Sequence, residues 1–286
     1  MRAAATWHPR TQRPFALVLG TNEIASAIAT RLTQASLAVM MSHDSFPPVI
    51  RRGMAFHDTL FGELREIESI VGVRADTLTD FVQIGEAPDK VAVTEMHLTD
   101  IIALRTPFVI IDARMQKHRI TPDLRGIARI TVGVGPMFEI GVNCDIAIET
   151  HPIETGAIVA QGSTMCADGQ ARELGGAGRE RFIYSDFDGI WHTPVDIGTR
   201  VYKDLQLGSL GRKPILAPID GVLRGIARDG SRVPANVKLL EIDPRGRHAC
   251  WSGMDERGRA IGSSAVAAIQ QFIQARRMTP PIAVHV

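Results

Sequence analysis

The chain has 286 residues, with 32 lysines and arginines against 31 aspartates and glutamates, and a formal net charge of +1. This balance gives no global field that favours nucleic acid or an anionic membrane, so we expect neither as a partner. The three cysteines form no C-x-x-C pair, which argues against a disulfide framework and a structural zinc site, and we expect no bound metal. There is no signal-peptide core and no run of about 18 apolar residues, so we expect a cytoplasmic protein.

The first half of the chain alternates strand and helix patterns. After a basic segment, residues 1–14, that we expect to be a flexible tail, "FALVLG" predicts a buried strand, "TNEIASAIATRLTQA" a helix capped by Asn22, and "LAVMMS" a second strand. Residues 60–71 are helix-like, and strands are predicted within residues 107–113, 129–135 and 145–150. This alternation predicts a Rossmann-like, doubly wound parallel sheet over residues 15–155.

A glycine-rich linker over residues 156–186 precedes an internal repeat of 32 residues. Gly189 recurs as Gly221, Gly198 as Gly230, Val201 as Val233 and Leu207 as Leu239. Two equal β units are implied, which predicts a small pseudo-symmetric all-β domain over residues 187–247. In the C-terminal helical segment, residues 248–286, we expect an amphipathic helix from Ser263 to Arg277.

The repeat resembles the biotinyl/lipoyl type of barrel-sandwich hybrid, in which a lysine at a hairpin tip carries the prosthetic group. The corresponding position falls near Leu210, and Lys213 lies too close to Ala217 and precedes a proline. We therefore expect no biotin or lipoate, and we interpret the domain as a binding or docking module.

Two glycine-containing loops are candidate ligand sites. Gly20 begins a loop like the G-x-G-x-x-G/A dinucleotide fingerprint, but Asn22 replaces the central glycine, which disfavours NAD(P); the alternative is a turn without a ligand. In "GVGPMF", Gly133, Gly135 and Pro136 end a strand and could leave amides for an anion. Alternatively, this loop is rigid and holds Phe138 in the core.

Charged residues supply the remaining candidates. Asp112, Lys117, His118 and Arg119 follow a predicted strand and could grip a phosphate, or could simply be a solvated helix start. Arg51 and Arg52 could face the same crevice. The pairs His43-Asp44 and His57-Asp58 suggest a metal phosphohydrolase, but no further ligands accompany them. Cys166 is the thiol most open to reaction.

Taken in order, the motifs resemble the accessory proteins of selenium-dependent molybdenum hydroxylases, which are similar to xanthine dehydrogenase accessory factors. The similarity covers about residues 15–270 and rests on the Gly20 loop, "VIRRGMAF", "IDARMQK", "GVGPMF", "AIET", "ELGG", "DGIW", "APIDGVLRGIARDG", "IDPRG" and "RAIG". It implies a Rossmann-like domain carrying a barrel-sandwich hybrid. It also implies a role in binding, delivering or modifying a molybdenum-pterin cofactor, with a client molybdenum hydroxylase or another assembly partner.

The residues that the resemblance favours are Gly133, Gly135, Pro136, Asp112, Lys117, Glu149, Arg51 and Arg52, with Asp112, Lys117 and Glu149 as candidates for catalysis. This chain departs from the family at Asn22, Met137 and Ser263-Ser264. The alternatives are an NAD(P)-dependent oxidoreductase and a structural or assembly protein in another pterin-linked or one-carbon pathway. Whether the protein is an enzyme stays open, and we expect a homo-oligomer.

Overall fold

The computed structural model describes residues 13–117 and 121–278. Most of the predicted N-terminal tail therefore lies outside the described residues. The same holds for His118 and Arg119 of the "DARMQKHR" motif.

The first half of the chain is an α/β fold built on a large, mostly parallel sheet. The predicted β-α-β unit is confirmed: β1 (Phe15–Leu19), α1 (Glu23–Gln34) and β2 (Ala38–Ser42) follow one another. The chain continues through β3 (Arg65–Ile67), β4 (Ile70–Arg74), α2 (Leu78–Glu86), β5 (Lys90–Thr94), α3 (Leu98–Leu104), β6 (Val109–Asp112), β7 (Ile130–Val134) and β8 (Ile146–Ile148). The strand order is β3-β4-β5-β2-β1-β6-β7-β8, and only β3 and β4 pair antiparallel.

This strand order places a switch point between β1 and β6. From β1 the chain moves outward through β2 on one side, then returns to β6 and moves outward through β7 and β8 on the other. In such sheets, ligands bind in the crevice beyond the carboxyl ends of the two strands where the order reverses. Here that crevice is bordered by Gly20 and Ala113.

The helix predicted over residues 60–71 is wrong, because β3 and β4 form a hairpin there. The turn consists of Glu68 and Ser69, whose φ angles of 47° and 65° are incompatible with a right-handed helix. Gly72 then lets β4 approach Phe56, since a Cβ at this position would lie 2.8 Å from the ring.

The second half contains the repeat as two four-stranded antiparallel sheets. Its strands are β9 (Phe182–Tyr184), β10 (Gly189–His192), β11 (Arg200–Val201), β12 (Gln206–Leu210), β13 (Lys213–Leu216), β14 (Gly221–Ile226), β15 (Arg232–Val233) and β16 (Lys238–Asp243). The sheet orders are β13-β12-β10-β15 and β11-β14-β16-β9. The short strands β11 and β15 each pair with the other half of the repeat, so the halves exchange strands. We call this part the antiparallel unit.

The sequence boundaries differ from the structure in two places. Residues 182–184, within the predicted linker, form β9 and pair with β16. The last helix, α4 (Glu256–Met278), begins seven residues before Ser263, the predicted start. Asp255 caps it, because its Oδ1 accepts a hydrogen bond from the Gly258 amide at 2.8 Å.

Helix α4 returns to the parallel sheet and packs on α1. Gly258 and Gly262 allow this close approach, since Cβ atoms added to them would lie 3.1 Å from Ala27 Cβ and 2.9 Å from Ala27 O. Within residues 13–117 and 121–278, no helix has the length and apolar character needed to cross a bilayer.

Candidate functional site

The crevice at the switch point is closed by Asn22. Its Oδ1 accepts hydrogen bonds from the amides of Ile24 and Ala25, both at 3.0 Å, and its Nδ2 donates to Ala113 O at 2.7 Å. Gly20, at φ 106°, permits this contact between the two loops, because its Cβ would lie 3.0 Å from the same oxygen. The amides that would meet a pyrophosphate in a dinucleotide fold are thus occupied by this side chain.

The glycines of "GVGPMF" serve the packing of Phe138. A Cβ at Gly133 would lie 2.1 Å from the Phe138 ring, and the Gly135 amide donates to Ile148 O at 3.2 Å. The Phe138 amide donates to Thr164 Oγ1 at 3.0 Å, and Pro136 has no amide hydrogen to offer. This geometry corresponds to the rigid-loop alternative rather than to an open anion nest.

The two candidate carboxylates are both engaged within the chain. Asp112 binds Arg114 through both oxygens, at 3.0 Å to Nε and 2.6 Å to Nη2. Glu149 is buried and accepts from the amides of Thr150, His151 and Met165 at 2.6 to 2.7 Å. Glu149 therefore fixes the loop after β8, and neither acid is positioned as a free base.

Arg51 belongs to a buried ion-pair network around Glu241. Its Nε lies 2.6 Å from Glu241 Oε2, and Arg181 and Arg224 approach Oε1 at 3.2 and 3.6 Å. Burial alone would raise the pKa of Glu241, but the charge and hydrogen bonds of Arg51, with the charges of Arg224 and Arg181, lower it to about 2. A second bond of Arg51, to Glu23 at 2.9 Å, ties the antiparallel unit to the first turn of α1.

Arg52 points into a different network, around the fully buried Asp58. Its Nη1 lies 2.7 Å from Asp58 Oδ2, which also accepts from Arg65 at 2.7 Å, while Arg228 lies 3.3 Å from Oδ1. Its Nε donates to Ile226 O in β14. Arg51 and Arg52 thus enter two different ion-pair networks, and both hold the antiparallel unit against the sheet.

The two histidines of the His-Asp pairs meet at Thr21. Thr21 Oγ1 lies 3.1 Å from His43 Nδ1 and 2.9 Å from His57 Nδ1. Burial lowers the pKa of His57 to about 3, with a contribution from His43, and burial also lowers the pKa of His43. Among the described residues, no three His, Cys, Asp or Glu side chains converge so that they could hold a metal ion.

A group of cations lies where the antiparallel unit meets the carboxyl edge of the parallel sheet. It consists of Lys117 after β6, Arg179 before β9, Lys238 at the start of β16 and Arg257 in the first turn of α4, and we call it the cationic cluster. Within the part of the chain that the structure describes, none of the four forms an ion pair with a carboxylate within 4.0 Å. Arg257 donates to Thr150 O at 3.1 Å, at the end of β8.

The members of the cationic cluster act on one another. Burial and the charges of Arg51 and Lys117 lower the pKa of Lys238 to about 7. Packing around the ammonium, together with Arg257 and Arg179, lowers the pKa of Lys117, although its side chain is exposed. Burial and the charge of Arg51 lower the pKa of Arg257. In all three groups burial is the largest cause of the lowered pKa, and neighbouring positive charge adds to it.

The nearby carboxylates offset part of this positive charge, but each forms its ion pair with a residue outside the cationic cluster. Glu23 and Glu241 bind Arg51, Asp168 binds His151 at 2.9 Å, and Asp255 binds Arg224 at 2.7 Å. The cationic cluster is therefore one place, among the described residues, where an added anion would find several cations with no carboxylate partner within 4.0 Å.

Of the predicted site residues, only Lys117 belongs to the cationic cluster. Gly20, Gly133, Gly135 and Pro136 shape the backbone. Asp112, Arg51 and Arg52 form ion pairs within the chain, and Glu149 binds backbone amides. Sequence reasoning missed Arg179, Lys238 and Arg257. The sequence held no usable signal for Arg257, because the helix was predicted from Ser263 and the first turn of α4 lay before that start.

Comparison with known proteins gives few matches. No protein-family model matches the chain. The uncharacterized protein YqeB of Escherichia coli (strain K12) is 26% identical over 258 residues, which is 90% of this chain and 47% of that protein. The chain thus spans about half the length of this relative.

Among solved structures, a succinylglutamate desuccinylase/aspartoacylase from Rhodobacter sphaeroides is 11% identical, with a TM-score of 0.25 over 81% of this chain and 85% of that one. The ectoine utilization protein EutE (DoeB) from Ruegeria pomeroyi is also 11% identical, with a TM-score of 0.26 over 80% and 85% of the two chains. TM-scores this low transfer neither fold nor chemistry.

These comparisons contradict the resemblance to accessory proteins of molybdenum hydroxylases. The similar solved structures include a succinylglutamate desuccinylase/aspartoacylase, an ectoine utilization protein and an aspartoacylase family protein, the relative YqeB is uncharacterized, and none of these points to a xanthine dehydrogenase accessory factor. The interpretation as a maturation protein for a molybdenum-pterin cofactor is wrong. The motifs on which it rested serve internal packing and ion pairs, as described for "GVGPMF" and "VIRRGMAF".

Proposed function

We propose that the protein binds a small anionic molecule, bearing phosphate or carboxylate groups, at the cationic cluster. One observation carries this proposal: four cations from four distant parts of the chain meet at the junction of the sheet edge and the antiparallel unit without carboxylate partners among the described residues. Phosphates and carboxylates are the groups that lysine and arginine recognise through charge-assisted hydrogen bonds.

The cost of the arrangement supports a binding role. Like charges in the cationic cluster repel one another, and Arg257 lies in the first turn of α4, at the positive end of the helix dipole. An anion at this junction would turn both repulsions into attractions. Its binding would therefore stabilise the folded protein.

We also propose two finer features of the fold, a Rossmann-like parallel sheet and a barrel-sandwich hybrid in the antiparallel unit. The switch between β1 and β6 supports a Rossmann-like sheet, and the exchanged strands of the two repeat halves support a barrel-sandwich hybrid. The turn between β12 and β13 consists of Gly211 and Arg212, and Lys213 beside it pairs with Asp186; the absence of biotin and lipoate stays a prediction. The bonds of Asn22 support the expectation that NAD(P) is not bound. The homo-oligomer stays a prediction.

The test is thermal unfolding with inorganic phosphate, pyrophosphate or citrate, compared with sodium chloride at equal ionic strength. A ligand at one hundred times its Kd stabilises the folded state by about 2.7 kcal/mol, which is readily seen as a rise in Tm. Lys117→Gln and Arg257→Gln should each reduce this rise. Lys90→Gln, at the exposed amino end of β5, should leave it intact.

Two results would count against the proposal. One is the same Tm in every anion and in chloride. The other is stabilisation by phosphate that Lys117→Gln, Arg257→Gln and Lys90→Gln reduce equally, since the anion would then act on the general surface.

A further inference from the structure

An apolar cleft lies on the face of the parallel sheet that α2 and α3 cover. These two helices have nine and seven residues, whereas α1 and α4 on the other face have 12 and 23. The short helices leave a space of about 230 Å³ above the sheet. Six apolar residues and one cation line this cleft: Phe15, Met40, Leu78, Phe81, Met96, Ile101 and Arg105.

Arg105 is the charged group of the cleft, and it lies at the end of α3. The central carbon of its guanidinium lies 5.4 Å from the centroid of the Phe15 ring and 5.8 Å from that of Phe81. Its Nη2 donates to Arg13 O at 3.2 Å. Within residues 13–117 and 121–278, no carboxylate lies within 4.0 Å of this guanidinium. A guanidinium has five N–H donors, so the bond to Arg13 leaves donors for a ligand.

The surroundings of Arg105 lack the negative charge that other half-buried arginines of this protein have. Arg51 and Arg52 each pair with a buried carboxylate, as described above. At Arg105, burial lowers the pKa, and no acidic side chain opposes the change. The guanidinium nevertheless stays charged at neutral pH. A carboxylate brought by a ligand would therefore form a charge-assisted pair with a partly desolvated cation.

We propose that this cleft binds a small amphiphilic carboxylate, whose aliphatic chain lies among the apolar residues and whose carboxylate pairs with Arg105. The site goes beyond the anion site proposed above, because it shares no residue with the cationic cluster. A water molecule takes about 30 Å³ in the liquid and a methylene is of similar size, so the cleft suits a chain of about six to eight carbons. Met40 and Met96 have flexible side chains that can adapt to such a chain.

The first test is calorimetric titration of the full-length protein with octanoate, butanoate and 1-octanol. Octanoate should bind, and each methylene removed should weaken binding by about fourfold, because burial of a methylene contributes that factor. Butanoate should therefore bind at least tenfold more weakly than octanoate. The alcohol has the same chain without the charge and should also bind at least tenfold more weakly.

The place of binding is read from the methionine methyl groups by NMR. The chain has ten methionines, and two of them line the cleft. Octanoate should shift the methyl signals of Met40 and Met96, and it should leave that of Met137 unchanged. Met137 is 52% exposed in the loop after β7 and does not line the cleft. Inorganic phosphate should not reverse the shifts.

Two variants at the cleft have matched controls elsewhere. Arg105→Gln should weaken octanoate binding at least tenfold and leave the binding of 1-octanol unchanged, and Arg105→Lys should restore part of the loss. Arg129→Gln is the control, since Arg129 lies 5.8 Å from the Phe108 ring centroid but does not line the cleft.

The second variant places a carboxylate at the opening. Leu78 is 37% exposed in the first turn of α2, where an acidic residue suits the helix dipole and should not unfold the protein. Leu78→Asp should weaken octanoate binding at least tenfold, because its charge repels the ligand. Leu64→Asp, at a 79% exposed position, should have no effect.

Three results would overturn the proposal. The first is that 1-octanol binds as tightly as octanoate, since Arg105 would then contribute nothing. The second is that Arg105→Gln and Arg129→Gln bind octanoate equally well. The third is that octanoate leaves the signals of Met40 and Met96 unchanged, or that phosphate displaces it, because the carboxylate would then bind outside the cleft.

Discussion

Replacing His57 by asparagine should make the protein less sensitive to mild acid. His57 is 6% exposed, and its Nδ1 lies 2.9 Å from Thr21 Oγ1, a contact that the asparagine Nδ2 can preserve. Burial lowers the pKa of His57 to about 3 in the folded state, against about 6.5 when unfolded. Between these values the unfolded chain binds a proton that the folded chain does not, so stability falls as pH falls.

The magnitude follows from the same two pKa values. Each pH unit below 6.5 costs about 1.4 kcal/mol, so the free energy of unfolding should fall by about 2 kcal/mol between pH 6.5 and 5.0 because of His57. Glu241 does not interfere, because its lowered pKa removes stability only below about pH 4.5. His43 contributes in the same direction, so the variant should reduce the slope without abolishing it.

The assay is urea unfolding at pH 7.5, 6.5 and 5.0, followed by the fluorescence of the fully buried Trp191. His97→Asn, at an exposed position before α3, is the matched control and should keep the wild-type slope. The reasoning is refuted if His57→Asn and wild type lose the same free energy of unfolding between pH 6.5 and 5.0.

Three further predictions concern packing, charge and cofactor choice. Gly133→Ala should lower the free energy of unfolding in urea by about 1–3 kcal/mol, because the new Cβ would lie 2.1 Å from the Phe138 ring. Adding Phe138→Leu should recover part of this loss, and an unchanged urea midpoint for Gly133→Ala would contradict the prediction. Glu241→Gln leaves three arginines without their shared carboxylate and should lower the free energy of unfolding by about 3–5 kcal/mol at pH 7. A decrease below about 1 kcal/mol would show that solvent screens these ion pairs. Millimolar NAD(P) or NAD(P)H should leave Tm unchanged while Asn22 occupies the loop amides, and a rise with any of the four would show that the loop opens.

The fold was predictable where one local pattern had one structural solution. The apolar run before Gly20 and the helical spacing after it gave the β-α-β unit, and the 32-residue repeat gave the two related halves of the antiparallel unit. Residues 60–71 failed because apolar residues at helical spacing also fit a hairpin. The deciding feature is the positive φ of Glu68 and Ser69. It could not be predicted from the sequence, because glutamate and serine rarely adopt a positive φ.

The site was harder to predict because it depends on contacts that are distant in the chain. Lys117 was found because it follows a predicted strand at the edge of the sheet. Lys238 and Arg257 reach the same place only because the antiparallel unit docks through Arg51 and Arg52 and because α4 folds back on α1. Arg51 and Arg52 were predicted as site residues because of their charge. The sequence did not indicate that the buried carboxylates Glu241 and Asp58 would form ion pairs with them.

The exchange of β11 and β15 between the repeat halves also constrains how the antiparallel unit assembles. Neither half can complete its sheet until the other is present, so local hairpins alone cannot yield a stable intermediate, and folding waits for pairings between distant segments. A protease that cut the turn between β12 and β13 would leave the two fragments interlocked. The two repeat halves therefore form a single unit that folds, and unfolds, as a whole.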